Sequence, residues 1–398
     1  GTISDPAGNN ATLTHSAVLA NTSYKVDTTA PTVDNFTLSD TALKAGDNAT
    51  VSLVFSEAVI SFSSAADITV PNLDNGTTSG ALTAMTSSDN ITWTGTFTPT
   101  ANTEEASNTL SLATSWTDLA GNAGPSETTP NYEVETKAPT GSFTFTDYHF
   151  KLGDNATVTL DFSEVVVGFS SDDDITVPNL DNGTTSGTLA AMISNDNKTW
   201  TGIFTPTANT ENASTTLSLD TNYTDTAGNT GIAATSSSYV VDTKGPSVSS
   251  LQLTDGVTTI STFTDRCLPV TSNIMVTFDD VMEPSYITTS TSDTNCAGSI
   301  WVSSDNFSSC VRMSSEPSAS NSNQTFTLDP YDNLSFYTTY KVRVTTGVKD
   351  VLGNNMSSQY DNSIGFKTSS YPSSSPISGV FVGVGQYGKE VRSIDNGT

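Results

Sequence analysis

Asp67-Ile-Thr-Val-Pro-Asn-Leu-Asp-Asn-Gly-Thr-Thr-Ser-Gly80 returns unchanged at Asp174–Gly187, 107 residues further along the chain. Its neighbours return at the same offset. Lys44-Ala-Gly-Asp-Asn-Ala-Thr-Val51 becomes Lys151-Leu-Gly-Asp-Asn-Ala-Thr-Val158, and Thr92–Glu104 becomes Thr199–Glu211 with one change. Val26-Asp-Thr-Thr-Ala-Pro31 recurs as Val134-Glu-Thr-Lys-Ala-Pro139 and Val241-Asp-Thr-Lys-Gly-Pro246. A period near 107 is too long for one solenoid unit and fits a whole small β-domain. The chain therefore reads as domains in tandem.

Within each repeat the apolar pattern has period 2. Val51, Leu53 and Phe55 share one face; Ile91, Trp93, Gly95 and Phe97 share another, alternating with threonines. Short alternating runs broken by Gly, Pro, Asn and Asp clusters predict an antiparallel sandwich. Seven strands are expected, near 34–39, 49–55, 67–71, 81–86, 91–98, 109–115 and 131–136, with no helix. The fold class is all-β.

Composition narrows the function. Acids outnumber bases 42 to 14 over 398 residues, a formal net charge of -28. Nucleic-acid binding needs Lys and Arg near phosphates, so that partner is excluded. The same field opposes an anionic membrane surface, and no apolar run is long enough to insert. Charged residues are 14% of the chain, and the rest of the polarity is neutral Thr, Ser, Asn and Gly. Two histidines and three cysteines leave little material for hydrolase or thiol chemistry. The composition reads as extracellular and β-rich. Because no constellation in the sequence offers the nucleophile, base and orienting group that catalysis needs, the chain is expected not to be an enzyme.

The phrases Val-Asp-Thr-Thr-Ala-Pro, Phe-Ser-Glu, Trp-Thr-Gly-x-Phe-Thr-Pro and Thr-Asp-x-Ala-Gly-Asn resemble the tandem bacterial Ig-like domains of large repetitive surface adhesins, including the extenders of RTX-type adhesins. The likeness covers about residues 1–242. It implies Ig-like or fibronectin-III-like sandwiches in an elongated rod, with a stalk or spacer role stiffened by calcium. From about 243 the composition shifts: the first arginine is Arg266, and Cys267, Cys296 and Cys310 follow. That region resembles the Ig-like module of S-layer-type proteins. Five segments are expected: 1–27, the last strands of a preceding domain; 28–135 and 136–242, the two repeats; 243–369, a diverged third domain; and 370–398, a linker and the start of a further β domain. Ser393-Ile-Asp-Asn-Gly-Thr398 resembles the start of an Asp-box. The chain is thus expected to be a segment of a longer bacterial surface polypeptide.

With seven strands, the linker, the Phe-Ser-Glu loop and the Asp-x-x-Gly-Asn loop of one domain share a pole. An acid stands at all three places in every complete domain: Asp27, Glu57 and Asp118; Glu135, Glu164 and Asp225; Asp242, Asp280 and Asp350. Converging carboxylates repel one another unless a cation sits among them. Ca²⁺ suits them because it takes 6–8 oxygens, and Asn122, Asn229 and Asn354 would add ligands. The competing reading makes these residues turn formers that bond their own backbone. Asp172-Asp-Asp174 reads as a solvated acidic loop.

Cys296 and Cys310 flank an expected hairpin, and a disulfide between them would suit an oxidising compartment, leaving Cys267 either buried as a small hydrophobe or free; the other pairings of the three cysteines stay open. Trp93 and Trp200 are expected in the core, and His15 and His149 as bystanders. Gly383-Val-Gly-Gln-Tyr-Gly388 spells a dinucleotide fingerprint without room for the helix it needs. Three functional readings follow. The first is a structural stalk of a secreted or surface-anchored protein, its partners being neighbouring Ig-like domains and copies assembled into filaments or a surface layer. The second is an adhesive ligand- or glycan-binding module centred on the third domain, marked by an exposed aromatic or apolar patch that the repeats lack. The third is an accessory region of an extracellular enzyme.

Overall fold

The computed structural model describes residues 2–12, 25–73, 76–179, 183–255, 259–260, 268–369, 382–384 and 390–392. They fall into two compact units. The first comprises Gly1–Thr140, Glu164–Phe169 and Thr221–Ile232; the second comprises Gly141–Ser163, Ser170–Asp220 and Ala233–Thr398. The second repeat thus contributes two loops to the first unit.

In the first unit, repeat 1 runs β1 (Val33–Leu38), β2 (Ala42–Lys44), β3 (Ala49–Phe55), β4 (Val59–Ile60), α1 (Ser64–Asp67), β5 (Ile68–Thr69), β6 (Gly80–Leu82) and β7 (Thr92–Pro99). It continues with β8 (Glu104–Asn108), β9 (Ser111–Leu112), β10 (Thr117–Asp118), β11 (Glu127–Thr128) and β12 (Tyr132–Glu135). One sheet has the order β1-β3-β7-β6; the others are β2-β12-β8, β11-β9-β5 and the ribbon β10-β4. The period-2 pattern of β3 buries Ala49, Val51, Leu53 and Phe55. They join Phe97, Leu112, Trp116, Tyr132 and Val134 in one core. Each Val, Leu or Phe among them stabilises by about 1.5–3 kcal/mol when fully buried. Trp93 packs half-buried against that core, 4.9 Å from Phe62.

Among the described residues of repeat 1, twelve strands replace the expected seven. The additional ones are too short or too polar to show a period. β2 has three residues, yet it pairs in parallel with the last strand, Leu43 opposite Val134. β8, Glu-Glu-Ala-Ser-Asn, carries no apolar alternation and is held by antiparallel pairing with β12. Asp67, expected in a strand, instead closes the single turn α1. Its buried carboxylate accepts the backbone N–H of Ser63 and the hydroxyl of Ser115.

The second unit contains the larger sheet of repeat 2, ordered Gly141–Phe145, Ala156–Phe162, Thr199–Pro206, Gly187–Leu189. Asp172 and Asp173 are exposed in its short helical turn, while Asp174 is buried and accepts Ser170 N–H at 2.8 Å. His149 is exposed. The third domain has a five-stranded sheet built on Val248–Thr254, Asn273–Phe278 and Thr325–Leu328. A second sheet holds Ile300–Ser303, Thr339–Val344, Tyr360–Asp361 and Phe366–Lys367. Their inward residues form a single cluster including Ile274, Val276, Phe326, Val342 and Val344. Val382–Val384 pairs antiparallel with Glu390–Arg392, so the Gly383 stretch begins in a strand and not in a phosphate loop. Among the described residues no helix is long and apolar enough to cross a membrane.

Candidate functional site

The acid trios assemble for a local reason. In repeat 1, β4 pairs with β10 so that Val59 lies opposite Asp118, and Glu57 precedes Val59 by two residues. Repeat 2 copies this with Val166 opposite Asp225 and Glu164 two residues before. In the third domain an isolated bridge joins Met282 to Asp350, with Asp280 two residues before. A two-residue ribbon, and not the parity of seven strands, brings the two loops together.

The linker acid is delivered by asparagine. Asn229 Nδ2 donates to the carbonyl of Glu135 at 2.8 Å and to Asp225 Oδ2 at 2.7 Å. Asn354 Nδ2 donates to the carbonyl of Asp242 at 2.8 Å and to Asp350 Oδ2 at 2.8 Å. Asn122 Nδ2 donates to Thr29 O at 3.1 Å, Asp27 O at 3.4 Å and Asp118 Oδ2 at 2.7 Å. The amide oxygens of Asn229 and Asn354 accept the backbone N–H of Ala45 and Leu152, at 2.8 and 2.9 Å. Asn229 and Asn354, expected as ligands, tie a linker, a loop and the turn of the preceding domain together, and Asn122, expected likewise, ties its linker to its loop.

Asp118, Asp225 and Asp350 also close their own loops. Asp350 Oδ1 accepts the N–H groups of Leu352, Gly353 and Asn354. Gly121, Gly228 and Gly353 all have φ of +93°, a left-handed position natural to glycine. Asp5-Pro-Ala-Gly-Asn9 makes the same loop, with Asn9 N–H on Asp5 Oδ1 and Asn9 Nδ2 on Asp5 Oδ2, both at 2.9 Å.

Carboxylate oxygens of Asp27, Glu57 and Asp118 lie within 4.8 Å of one another, and so do those of Asp242, Asp280 and Asp350. The middle trio is looser, since no such gathering is found there among the described residues. Burial, and then the charges of Glu104, Glu164 and Asp225, still push the Glu135 carboxyl up. Partial desolvation, then Asp27 and Asp118, do the same to Glu57. Asp118 is held low by the Asn122 amide. The effect is largest at the third trio, where burial followed by Asp350 and Asp280 pushes Asp242 up to about 7. Asp280 is raised by its burial and by Asp350, Glu211 and Asp279. Asp242 and Asp350 are buried, and among the described residues no ion pair is formed with this trio; Lys244 turns instead to Glu211 and Asp279, at 3.3 Å each. Hard, negatively charged oxygens crowded together suit a hard cation such as Ca²⁺.

A family model described as a bacterial Ig-like domain matches residues 27–134 and 135–241, and a second model of the same description matches 242–368. The chain belongs to the bacterial Ig-like domain family. These Ig-like domains stand in tandem. Among solved structures the chain is similar to the Escherichia coli adhesin FdeC, at 12% identity over 83% of this chain and 95% of that one, with a TM-score of 0.30. It is also similar to the I9–I11 tandem of titin (9% identity, 85% of this chain, 98% of that one, TM-score 0.26). Domains 5–6 of the S-layer protein SbsC match at 12% identity, over 54% of this chain and 99% of that one, with a TM-score of 0.16. No curated protein matches the chain.

Cys296 and Cys310 form a disulfide with Cα atoms 5.0 Å apart. The hairpin expected between them is partly formed: Val311 N–H bonds Val302 O at 2.7 Å, while Ile300–Ser303 pairs along its length with Thr339–Val344. Cys267, His15, the linker residues 370–381 and Ser393–Thr398 lie outside the described residues.

Proposed function

We propose that this chain is a structural stalk segment of a secreted or surface-anchored protein, and that Ca²⁺ at the interdomain joints sets its stiffness. The observation that carries this reading is the third joint. There Asn354 ties the Asp242 linker and the Leu152 turn to the loop of Asp350, and the same residues hold three carboxylates against one another. Asp242, Asp280 and Asp350 would hold the ion there, and Asp27, Glu57 and Asp118 would hold one at the first joint. Glu135, Glu164 and Asp225 would close around a third. The ion would supply the positive charge that the buried acids lack, with an affinity of about 10⁻⁴–10⁻³ M, the range of extracellular modules. Ig-like repeats are typically non-catalytic, which accords with a mechanical role.

Small-angle scattering of the chain with millimolar Ca²⁺ and then with EGTA tests this. Maximum dimension and melting temperature should both fall on chelation. If neither moves, the trios act as turn formers only and the calcium reading fails.

A further inference from the structure

The third domain ends differently from the repeats. In repeat 1 the turn Lys44–Asp47 is closed by Asp47 N–H on Lys44 O at 3.1 Å, has Gly46 at φ +88°, and offers the Ala45 N–H to Asn229. Lys151–Asp154 in repeat 2 does the same for Asn354. The turn in the third domain that likewise follows a parallel contact with the last strand is Pro269–Ser272, after Leu268; Leu268 bridges Thr368, two residues further along that strand than the Leu43–Val134 pair would place it. Here Val270 is buried, and its carbonyl accepts Leu334 N–H at 2.8 Å. The domain folds its own connection, between Leu328 and Thr339, over the turn that receives the next domain in the repeats.

That connection carries Tyr331, Phe336 and Tyr337, which are 54%, 48% and 65% exposed. Every exposed large hydrophobic residue described in the repeats is aliphatic. Tyr337 has a φ of +54°, and its counterparts are Asn102 at +55° and Asn209 at +57°. The match is fixed by the next residue. Thr103, Thr210 and Thr338 each exchange the same backbone and hydroxyl bonds with Thr136, Thr243 and Thr368. Asparagine tolerates this left-handed conformation, whereas a bulky aromatic residue is strained in it. Lys367 Nζ lies 3.6 Å from the Tyr337 ring centroid, and Arg312 Cζ lies 3.8 Å from that of Tyr331. Among the described residues neither cation has a carboxylate partner.

We infer that this pole of the third domain binds a carboxylate-bearing saccharide. Exposed rings offer flat apolar surface to the C–H face of a sugar, and the unpaired charges of Lys367 and Arg312 suit its carboxylate. A chain of net charge -28 repels nucleic acids and anionic membranes but tolerates a single carboxylate at a local cationic patch. The inference is independent of the calcium reading.

Titration calorimetry of the whole chain with trigalacturonate, sialyllactose and a glucuronate disaccharide tests it, with maltotriose and lactose as neutral controls and a short polyglutamate as the peptide control. EGTA is present throughout, so that bridging Ca²⁺ cannot replace the cations. The expected result is binding of an acidic saccharide in preference to all the controls. Tyr337→Asn installs the residue of the repeats and should weaken binding roughly tenfold without lowering the melting temperature. Lys367→Gln should weaken it while leaving the fold intact. The proposal is overturned if no acidic saccharide binds, if neutral sugars or polyglutamate bind equally, or if both variants keep full affinity.

Discussion

The amide oxygen of Asn354 accepts the backbone N–H of Leu152 at 2.9 Å, joining a loop of the third domain to a turn of the second repeat. The other end of the same amide holds the carbonyl of Asp242. One buried side chain therefore sets where a linker carboxylate points.

Replacing Asn354 with alanine leaves Leu152 N–H, Asp242 O and Asp350 Oδ2 each short of a partner. A buried polar group without its hydrogen bond costs about 1–3 kcal/mol. Asn354→Ala should destabilise by about 2 kcal/mol or more. Hydrogen exchange at the Leu152 amide should accelerate, and an unchanged rate would show that the tie contributes nothing in solution.

At the third joint, Asp280→Asn removes one charge from a trio in which Asp242 and Asp350 are the buried members. It should relieve repulsion in EGTA and raise the melting temperature there, yet weaken Ca²⁺ binding by calorimetry. A variant that lowers stability equally with and without Ca²⁺ would assign Asp280 to the fold and not to an ion.

The metal-free protein should also respond to pH. Asp242 titrates at about 7 when folded, because of its burial and the charges of Asp350 and Asp280. A raised acid pKa means that the folded state prefers the protonated form. The associated stability is complete below the unfolded value of about 3.8 and is lost as pH rises through about 7. In EGTA the melting temperature should fall across that window, and Asp242→Asn should flatten the slope.

Gly124 faces the ring of Trp116 so closely that an added Cβ would lie 2.0 Å from it. Trp116 is fully buried, its ring centroid 4.4 Å from that of Phe55 with the planes tilted by 44°. Gly124→Ala should cost about 1–3 kcal/mol through overpacking, read as a lower denaturation midpoint of repeat 1. Gly231 stands in the same relation to Tyr223 in repeat 2, so Gly231→Ala should behave alike.

The Cys296–Cys310 disulfide closes a short loop in the third domain, with a sequence separation of 14. Reduction, or a double change to serine, should lower the stability of that domain by about 3 kcal/mol. The repeats hold no cysteine and should be unaffected, so a scan that resolves the third domain should show only its transition moving.

Residue order alone determined the tandem arrangement, the β class and the inward faces of the long strands, because a 107-residue repeat and a period of 2 are properties of the string. It also marked the three acids of each joint, since Asp or Glu recurs at equivalent positions. The short strands were not legible. β2 and β8 exist through pairing with β12, a contact distant in sequence, and their own residues carry too little apolar signal. The roles of Asn122, Asn229 and Asn354 were equally hidden, because an amide serves as ligand or tie according to what stands opposite each end. Only the tertiary structure placed the Ala45 and Leu152 N–H groups there. It likewise decided that Tyr337, one tyrosine among twelve in the sequence, stands exposed in a left-handed turn under a lysine ammonium. Periodicity records which way a residue faces within its own strand. Burial, charge crowding and strain arise between segments far apart in the chain, and folding alone brings those together.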